Sequence, residues 1–425
     1  MDQVKSARAW LVFIIAALGI PYQFYLQSTP GVMVAGLYQS FGLNATQIGI
    51  LTSCFFYTYL ALQVPAGILV DAIGARRSLM LGIVGCVFGC ALFAGAPNYS
   101  FAIAARLIMG LSASFFVPAA MVTAQSWHPV SRFAMLAGLG ESIGMAGGGL
   151  GEYAMGKGMA LIGWRGSMWA STVAGIVVLI LIAFIVRDRR MNCEKRVEKS
   201  ALRQLQEMRH CFACVVKLPK LWLIALFAAL TFGPLAAFAG LWVVPYLQLR
   251  FHLHIDHAAF FGAVIFIGVA FCAPVCGFWY QRSDNKKVML RSLTACACLL
   301  FTGILYLPMS ISWIFPAMLL LGAFSCVYVL SFGLIPEVVP CHLRGAAVGL
   351  VNMGSMVIGA PILQPAIGWW LRRAPQNPEA ILAHYQQSLC VLSIGLLIGL
   401  VLVSWLPVPR KQREENSFVD IMTRS

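Results

Sequence analysis

Twelve times between residues 10 and 406 the chain settles into an apolar run long enough to cross a bilayer, the first beginning WLVFIIAALGI at 10–20. Few features constrain a fold more. Hydrocarbon offers nothing to hydrogen-bond a bare backbone group, so a spanning segment must satisfy its own N–H and C=O groups, as a helix does. A lipid core about 30 Å thick takes about 20 residues of helix. The runs cover 10–38, 46–73, 78–95, 99–127, 131–156, 166–187, 219–249, 257–280, 288–308, 312–338, 343–371 and 385–406. Composition agrees: 60% of residues are hydrophobic and 11% charged, against about 45–50% and about 25% in soluble domains. The expected fold is all-α, a polytopic membrane protein of about twelve transmembrane helices in two pseudo-symmetric six-helix bundles. The opening MDQVKSAR is short and runs straight into membrane sequence, so no cleavable signal peptide is expected.

A formal net charge of +15 invites a nucleic-acid reading, but the placement of the charge argues against it. Of 30 Lys and Arg, 24 lie in the two tails and in alternate loops; five lie in the opposite set (Lys157, Arg165, Arg250, Arg372 and Arg373), and Arg106 lies inside a span. That asymmetry is the positive-inside pattern. It puts both termini in the cytoplasm and makes membrane lipids, with their anionic headgroups, the partners of the basic loops.

The longest polar stretch, 187–220, divides the chain. The expected organisation is an N-terminal bundle at 1–190, a linker at 191–218, a C-terminal bundle at 219–408 and a cytoplasmic tail at 409–425. Leu202, Leu205, Met208 and Phe212 recur at helical spacing within the linker, which is either a helix lying on the inner face or simply solvated. Cys211 and Cys214 form a CxxC there beside His210, but a second ligand pair is missing, so reduced thiols and no metal or cofactor are expected. The halves look related. LYQSFGLNATQIG (37–49) aligns with LQLRFHLHIDHAA (247–259) at an offset of 210, and the same offset pairs Gly67 with Gly277 and Arg76, Arg77 with Lys286, Lys287. Two parallel repeats are a transporter plan, with cargo held between them near the midplane.

After the second run stands GILVDAIGARR (67–77). Tight turns are expected at Gly67 and Gly74. Asp71, beside Arg76 and Arg77, can approach the positive end of a neighbouring helix and latch the cytoplasmic face; equally, the loop can be a basic turn that fixes topology. This GxxxDxxGxRR pattern after span two of twelve resembles the signature loop of the major facilitator superfamily. Its degenerate copy is GFWYQRSDNKK (277–287), where Gln281 replaces the aspartate, and RLIMG (106–110) is similar to that superfamily's Arg-x-x-x-Gly element. The resemblance covers the whole chain and implies a carrier, not its cargo. YQFYLQSTPGVM (22–33) followed by GLYQSF is similar to the first span of the phagosomal transporters of intracellular bacterial pathogens, with Thr29 and Gly31 where serines are expected. That narrower likeness implies a bacterial inner-membrane importer of amino acids, nucleosides or similar nutrients, with siderophore carriers as close relatives. Span five carries GMAGGGLG (144–151), and Met145 replaces the proline usual in the superfamily's drug antiporters, which favours uptake.

Polar residues inside spans should face protein or cargo, not lipid. Gln23 and Gln27, four apart, share a helix face just before Pro30 and Gly31; they are either ligands or glue between helices. Glu141 in span five can take and release protons at depth, and Arg106 in span four can grip a carboxylate. Together they suit a zwitterion, unless they simply neutralise each other. Asn352 is the pseudo-symmetric partner of Glu141, and Gln364 that of Tyr153. Trp242, Tyr246 and Tyr328 either wall the cargo or pack. Glu152 and Lys157, near the outer end of span five, are expected to be solvated.

The resulting expectation is a monomeric, proton-coupled symporter that imports a small polar nutrient, an amino acid foremost, by alternating access. Nucleosides or a siderophore are the alternatives, as is an exporter of drugs or siderophores. The chain has no GxxxxGK[ST] phosphate loop and no nucleophile–base constellation, so it is not read as an enzyme.

Overall fold

The computed structural model describes residues 2–129, 132–188, 213–340, 343–373 and 378–407. Among them every regular element is helical. Eleven continuous helices are long and apolar enough to cross a membrane: Ala7–Phe41, Ala45–Gln63, Ala75–Ala94, Tyr99–Trp127, Met135–Ile185, Pro219–Phe251, Ile255–Arg282, Lys286–Tyr306, Ile311–Glu337, Ala346–Leu371 and Ala380–Leu402. The fifth of these is 51 residues long, about 76 Å at 1.5 Å per residue, and no bilayer is that thick. It is broken at Gly163, whose φ of 69° is open to a residue without a Cβ. The chain therefore makes twelve crossings, numbered here span one to span twelve, with spans five and six on either side of Gly163. The linker helix expected around Leu202–Phe212, Cys211 and the tail from 409 lie outside the described residues.

Local chemistry sets the helix ends. Asn44 and Gln47 form a capping box at the start of span two, the Asn44 side chain accepting from the Gln47 N–H at 3.0 Å and Gln47 Oε1 from the Asn44 N–H at 2.9 Å. Gly74, at φ 91°, separates spans two and three. Gly67, where a turn was expected, lies inside the helix Ala45–Ile73 and makes none.

The two halves repeat one packing scheme. Span one lies on five, two on four and three on six; span seven lies on eleven, eight on ten and nine on twelve. The halves meet through spans five and eight, two and eleven, and one and seven. Wide π-type turns interrupt spans seven (Pro234–Trp242) and eleven (Ile358–Leu363). In span eleven the widened turn, with the N–H that Pro365 lacks, leaves carbonyls free. Ala360 O accepts from Ser53 Oγ at 2.8 Å and Pro361 O from Tyr57 O–H at 3.1 Å, so these carbonyls tie span eleven to span two.

Candidate functional site

The two bundles enclose a cavity of about 630 Å³. Its direction of opening can be read from the glycines. Call the membrane face where both described chain ends lie the terminal face. In the far half, backbone meets backbone across the bundle interface. A Cβ built on Gly31 would stand 3.1 Å from Leu241 Cα, one on Gly49 2.6 Å from Gln364 O, one on Gly149 2.7 Å from Ala263 O, and one on Gly368 2.3 Å from Ala45 O. Lys157 and Asp256 add an ion pair at 3.1 Å on that rim. In the terminal half, a Cβ on Gly67, Gly138, Gly277 or Gly349 would meet nothing within 4 Å. The far half is sealed and the cavity opens to the terminal face.

Span five positions the acidic group. Its small residues allow it to lie close on span one: a Cβ on Gly144 would come within 2.8 Å of the Phe24 ring. Glu141 thereby reaches the cavity and accepts a hydrogen bond of 3.2 Å from the Tyr328 hydroxyl of span ten, in the opposite bundle. The Tyr328 ring rests on Phe232, with centroids 4.7 Å apart. A second polar link crosses the gap, Asn352 Nδ2 to Gln63 Oε1 at 3.5 Å. Tyr59 and Ser114 complete the polar lining, and the remaining wall is apolar, with three Phe and four Met side chains among small and aliphatic residues. Among the described residues, none that lines the cavity is cationic.

Three expected cargo residues, Glu141, Tyr328 and Asn352, therefore meet in one place. Others do not reach it. Gln23 is fully buried, and neither of its amide atoms has a hydrogen-bond partner among the described residues. Gln27 lines a small adjoining recess with Ser28 and Gly240. Gln364 donates to Ala236 O at 2.8 Å inside its own bundle. Trp242 is fully buried, edge-on to Tyr385. The Tyr246 hydroxyl donates to Ile304 O at 3.1 Å and also meets Arg250, fastening the far end of span seven to span nine.

Arg106 departs furthest from expectation. It neither faces the cavity nor pairs with Glu141. Pro30 has no N–H, so the carbonyl four residues earlier, Leu26 O, loses its helical donor. Arg106 Nη1 supplies one at 2.6 Å, while Nη2 donates to Thr52 O at 3.2 Å and the guanidinium lies 5.0 Å from the Phe55 ring centroid. Its charge mends the backbone of span one where that helix is broken.

The Asp71 side chain lies outside the described residues. The carboxylate that reaches a helix N-terminus here is that of Asp188, past span six: it accepts from the Arg76 backbone N–H at 2.9 Å, at the start of span three. Arg76 Nη2 in turn donates to Ala183 O at 2.7 Å. The second copy of the loop behaves alike, Lys287 Nζ donating to Ser404 O at 3.1 Å beyond span twelve. Cations at helix C-termini complement the macrodipole. Both contacts stay within one bundle. Arg77 is exposed.

Gln63 and Tyr59 were missed by sequence reasoning. They are four apart on one face of span two, the same signal that singled out Gln23 and Gln27. Glu152, expected to be solvated, is fully buried.

Comparison with known proteins agrees with this architecture. The glucose transporter GlcP of Staphylococcus epidermidis is 25% identical over 462 aligned positions, covering 99% of each chain. A probable L-galactonate transporter of Escherichia coli is 22% identical over 385, covering 85% of this chain and 83% of its own. Among solved structures, a bacterial homologue of the human lysosomal transporter Spinster, captured inward-facing and unoccupied, superposes with a TM-score of 0.77 at 15% identity, over 94% of this chain and 97% of that one. The nucleoside transporter NupG (a D323A mutant) superposes with a TM-score of 0.75 at 12% identity, over 94% and 99%. These two likenesses speak for the fold. The family model for the Major Facilitator Superfamily matches residues 11–363 and 266–420. The chain is a transporter, not an enzyme, and it belongs to the major facilitator superfamily.

Proposed function

We propose that this protein imports a small uncharged organic nutrient, of the nucleoside or hexose kind, driven by protons through Glu141. The observation that carries the reading is the hydrogen bond from Tyr328 to Glu141, which joins the bundles across the cavity. An ionised carboxylate accepts that bond with either oxygen, and a protonated one can instead donate toward cargo, so taking up a proton changes how the bundles hold each other. Asn352, Gln63 and Tyr59 offer donors and acceptors suited to hydroxyls and ring nitrogens, and the Phe and Met walls suit a flat or apolar body.

The amino-acid expectation leaned on Arg106 to hold a carboxylate. With Arg106 engaged at Leu26 and Thr52, an uncharged cargo fits the lining better. The glucose and nucleoside transporters among the similar proteins carry cargo of that kind, as their names state. The basic asymmetry supports a cytoplasmic terminal face, and the similarity to bacterial transporters supports a bacterial inner membrane. One chain encloses the whole cavity, so a monomer suffices. The apolar lining also favours a second reading, export of a lipophilic drug.

The test is uptake into proteoliposomes across an imposed pH gradient, with labelled nucleosides, hexoses and amino acids. Accumulation of a nucleoside or hexose, lost when the gradient collapses, is expected. Amino-acid-only uptake, gradient-independent uptake, or drug efflux without nutrient uptake would each overturn the proposal.

A further inference from the structure

Eleven residues beyond Glu141, on the same helix, Glu152 is sealed into the far half of the bundle interface. Eleven residues are about 20° past three full turns, so both carboxyls lie on one face of span five, about 16 Å apart. Glu141 looks into the open cavity, while Glu152 looks at span eight. A Cβ on Gly262 would stand 2.3 Å from Glu152 Oε1 and 3.0 Å from Val243 Cγ1, so the carboxyl fills a slot that only a glycine leaves free. Neither carboxyl oxygen has a hydrogen-bond partner among the described residues.

The titratable groups on the neighbouring elements are engaged elsewhere or exposed. On span one, Tyr22 donates to Ser171 O and Tyr25 meets the Ser171 hydroxyl. On span seven, Tyr246 and Arg250 bind span-nine carbonyls. Asp256, at the head of span eight, pairs with Lys157 and His254, and His257 is exposed. Among the described residues nothing stands ready to neutralise a carboxylate in this slot, and an ion without a partner is costly at such depth. A metal cation would need several oxygen ligands, and the slot is bounded by a glycine and a valine.

We propose that Glu152 is a proton-binding site that controls the seal: spans five and eight close in the far half only when Glu152 carries a proton. The step is balanced. The carboxylate takes one proton from hydronium on the far face, whose O–H bond breaks to leave water as the acid's O–H bond forms, and the neutral acid then packs against Gly262. Reopening exposes the acid, and the proton returns to the same water. Acid on the far side therefore favours the sealed, terminal-open state, by about tenfold in the ratio of states per pH unit above the site's midpoint. The proposal holds whatever the cargo is, and its test uses none.

The experiment measures the distance between bioorthogonal labels at Asn44 and His252, on opposite bundles at the far rim, in the full-length protein in nanodiscs across a pH series. The wild type is expected to shift from open to sealed as pH falls. Glu152→Gln, a neutral isostere, should stay sealed throughout. His254→Gln should keep the wild-type response, which separates Glu152 from the rim histidine. Hydrogen exchange over spans five and eight gives a second readout should labelling perturb the fold. A pH-independent wild type, a Glu152→Gln variant that still responds, or a response that vanishes in His254→Gln would overturn the assignment. So would a sealed fraction that follows sodium at fixed pH.

Discussion

Tyr328 on span ten donates its hydroxyl to Glu141 on span five at 3.2 Å, the shorter of two polar links described between the bundles across the cavity. Removing the hydroxyl while keeping the ring isolates that bond. A typical net hydrogen bond contributes about 0.5–1.5 kcal/mol. Tyr328→Phe should therefore weaken gradient-driven uptake by about 2- to 13-fold with stability little changed, measured as initial rates in proteoliposomes. Uptake equal to wild type would remove the bond from the mechanism.

Glu141→Gln removes the titrating proton but keeps a hydrogen-bond acceptor. Accumulation against a gradient should disappear, while exchange of labelled for unlabelled cargo across the same membranes should persist. Accumulation at the wild-type level would end the coupling role of Glu141.

Arg106 and Pro30 form a compensating pair. Arg106→Ala leaves Leu26 O with only the Thr29 hydroxyl, 3.2 Å away, and takes the second donor from Thr52 O inside its helix, at a cost of about 1.5–3 kcal/mol for a hydrogen bond from a charged donor. A clear fall in melting temperature in detergent is expected. Pro30→Ala restores an N–H that can serve Leu26 O, so the double variant should lose less than the sum of the two single losses. Strict additivity would contradict the repair role.

Gly349 and Gly49 test which face is closed. Leucine at Gly349 meets open space in this state, so it should fold normally yet prevent the terminal half from closing. Leucine at Gly49 would collide with Gln364 O and Pro365, and should prevent the far half from sealing. Alkylation of an introduced cavity cysteine in sided vesicles should rise from the terminal face in Gly349→Leu and from the far face in Gly49→Leu. The same sidedness in both would refute the reading.

Asp188 holds the start of span three. Asp188→Asn loses the carboxylate's attraction to a helix N-terminus, worth about 0.3–1 kcal/mol at an exposed site. A small fall in melting temperature with cargo affinity unchanged is expected from thermal unfolding and binding titrations. A large loss of affinity would mean that this loop reaches the cavity.

Hydropathy alone determined the class and the number of crossings, because lipid imposes the same demand on every spanning residue and leaves its mark locally; the superfamily was carried by the resemblance of GILVDAIGARR and RLIMG. The loop GILVDAIGARR was legible for the same reason, since a turn between two helices is written in consecutive residues. Which way a buried side chain points is not written that way. In helices that are apolar all round, one face scarcely differs from another in sequence, and rotation is settled by the partners that pack against it. Gln23 and Gln63 look equally eligible in the sequence, yet only Gln63 lines the cavity. Arg106 looked like a cargo ligand because the carbonyl it serves was orphaned by a proline on another helix, 76 residues earlier in the chain. Glu152 looked solvated because its distance from the loop suggested water, whereas Gly262 on span eight covers it. Depth is a property of one helix and can be read from it; facing is a property of pairs of helices and exists only once they have packed.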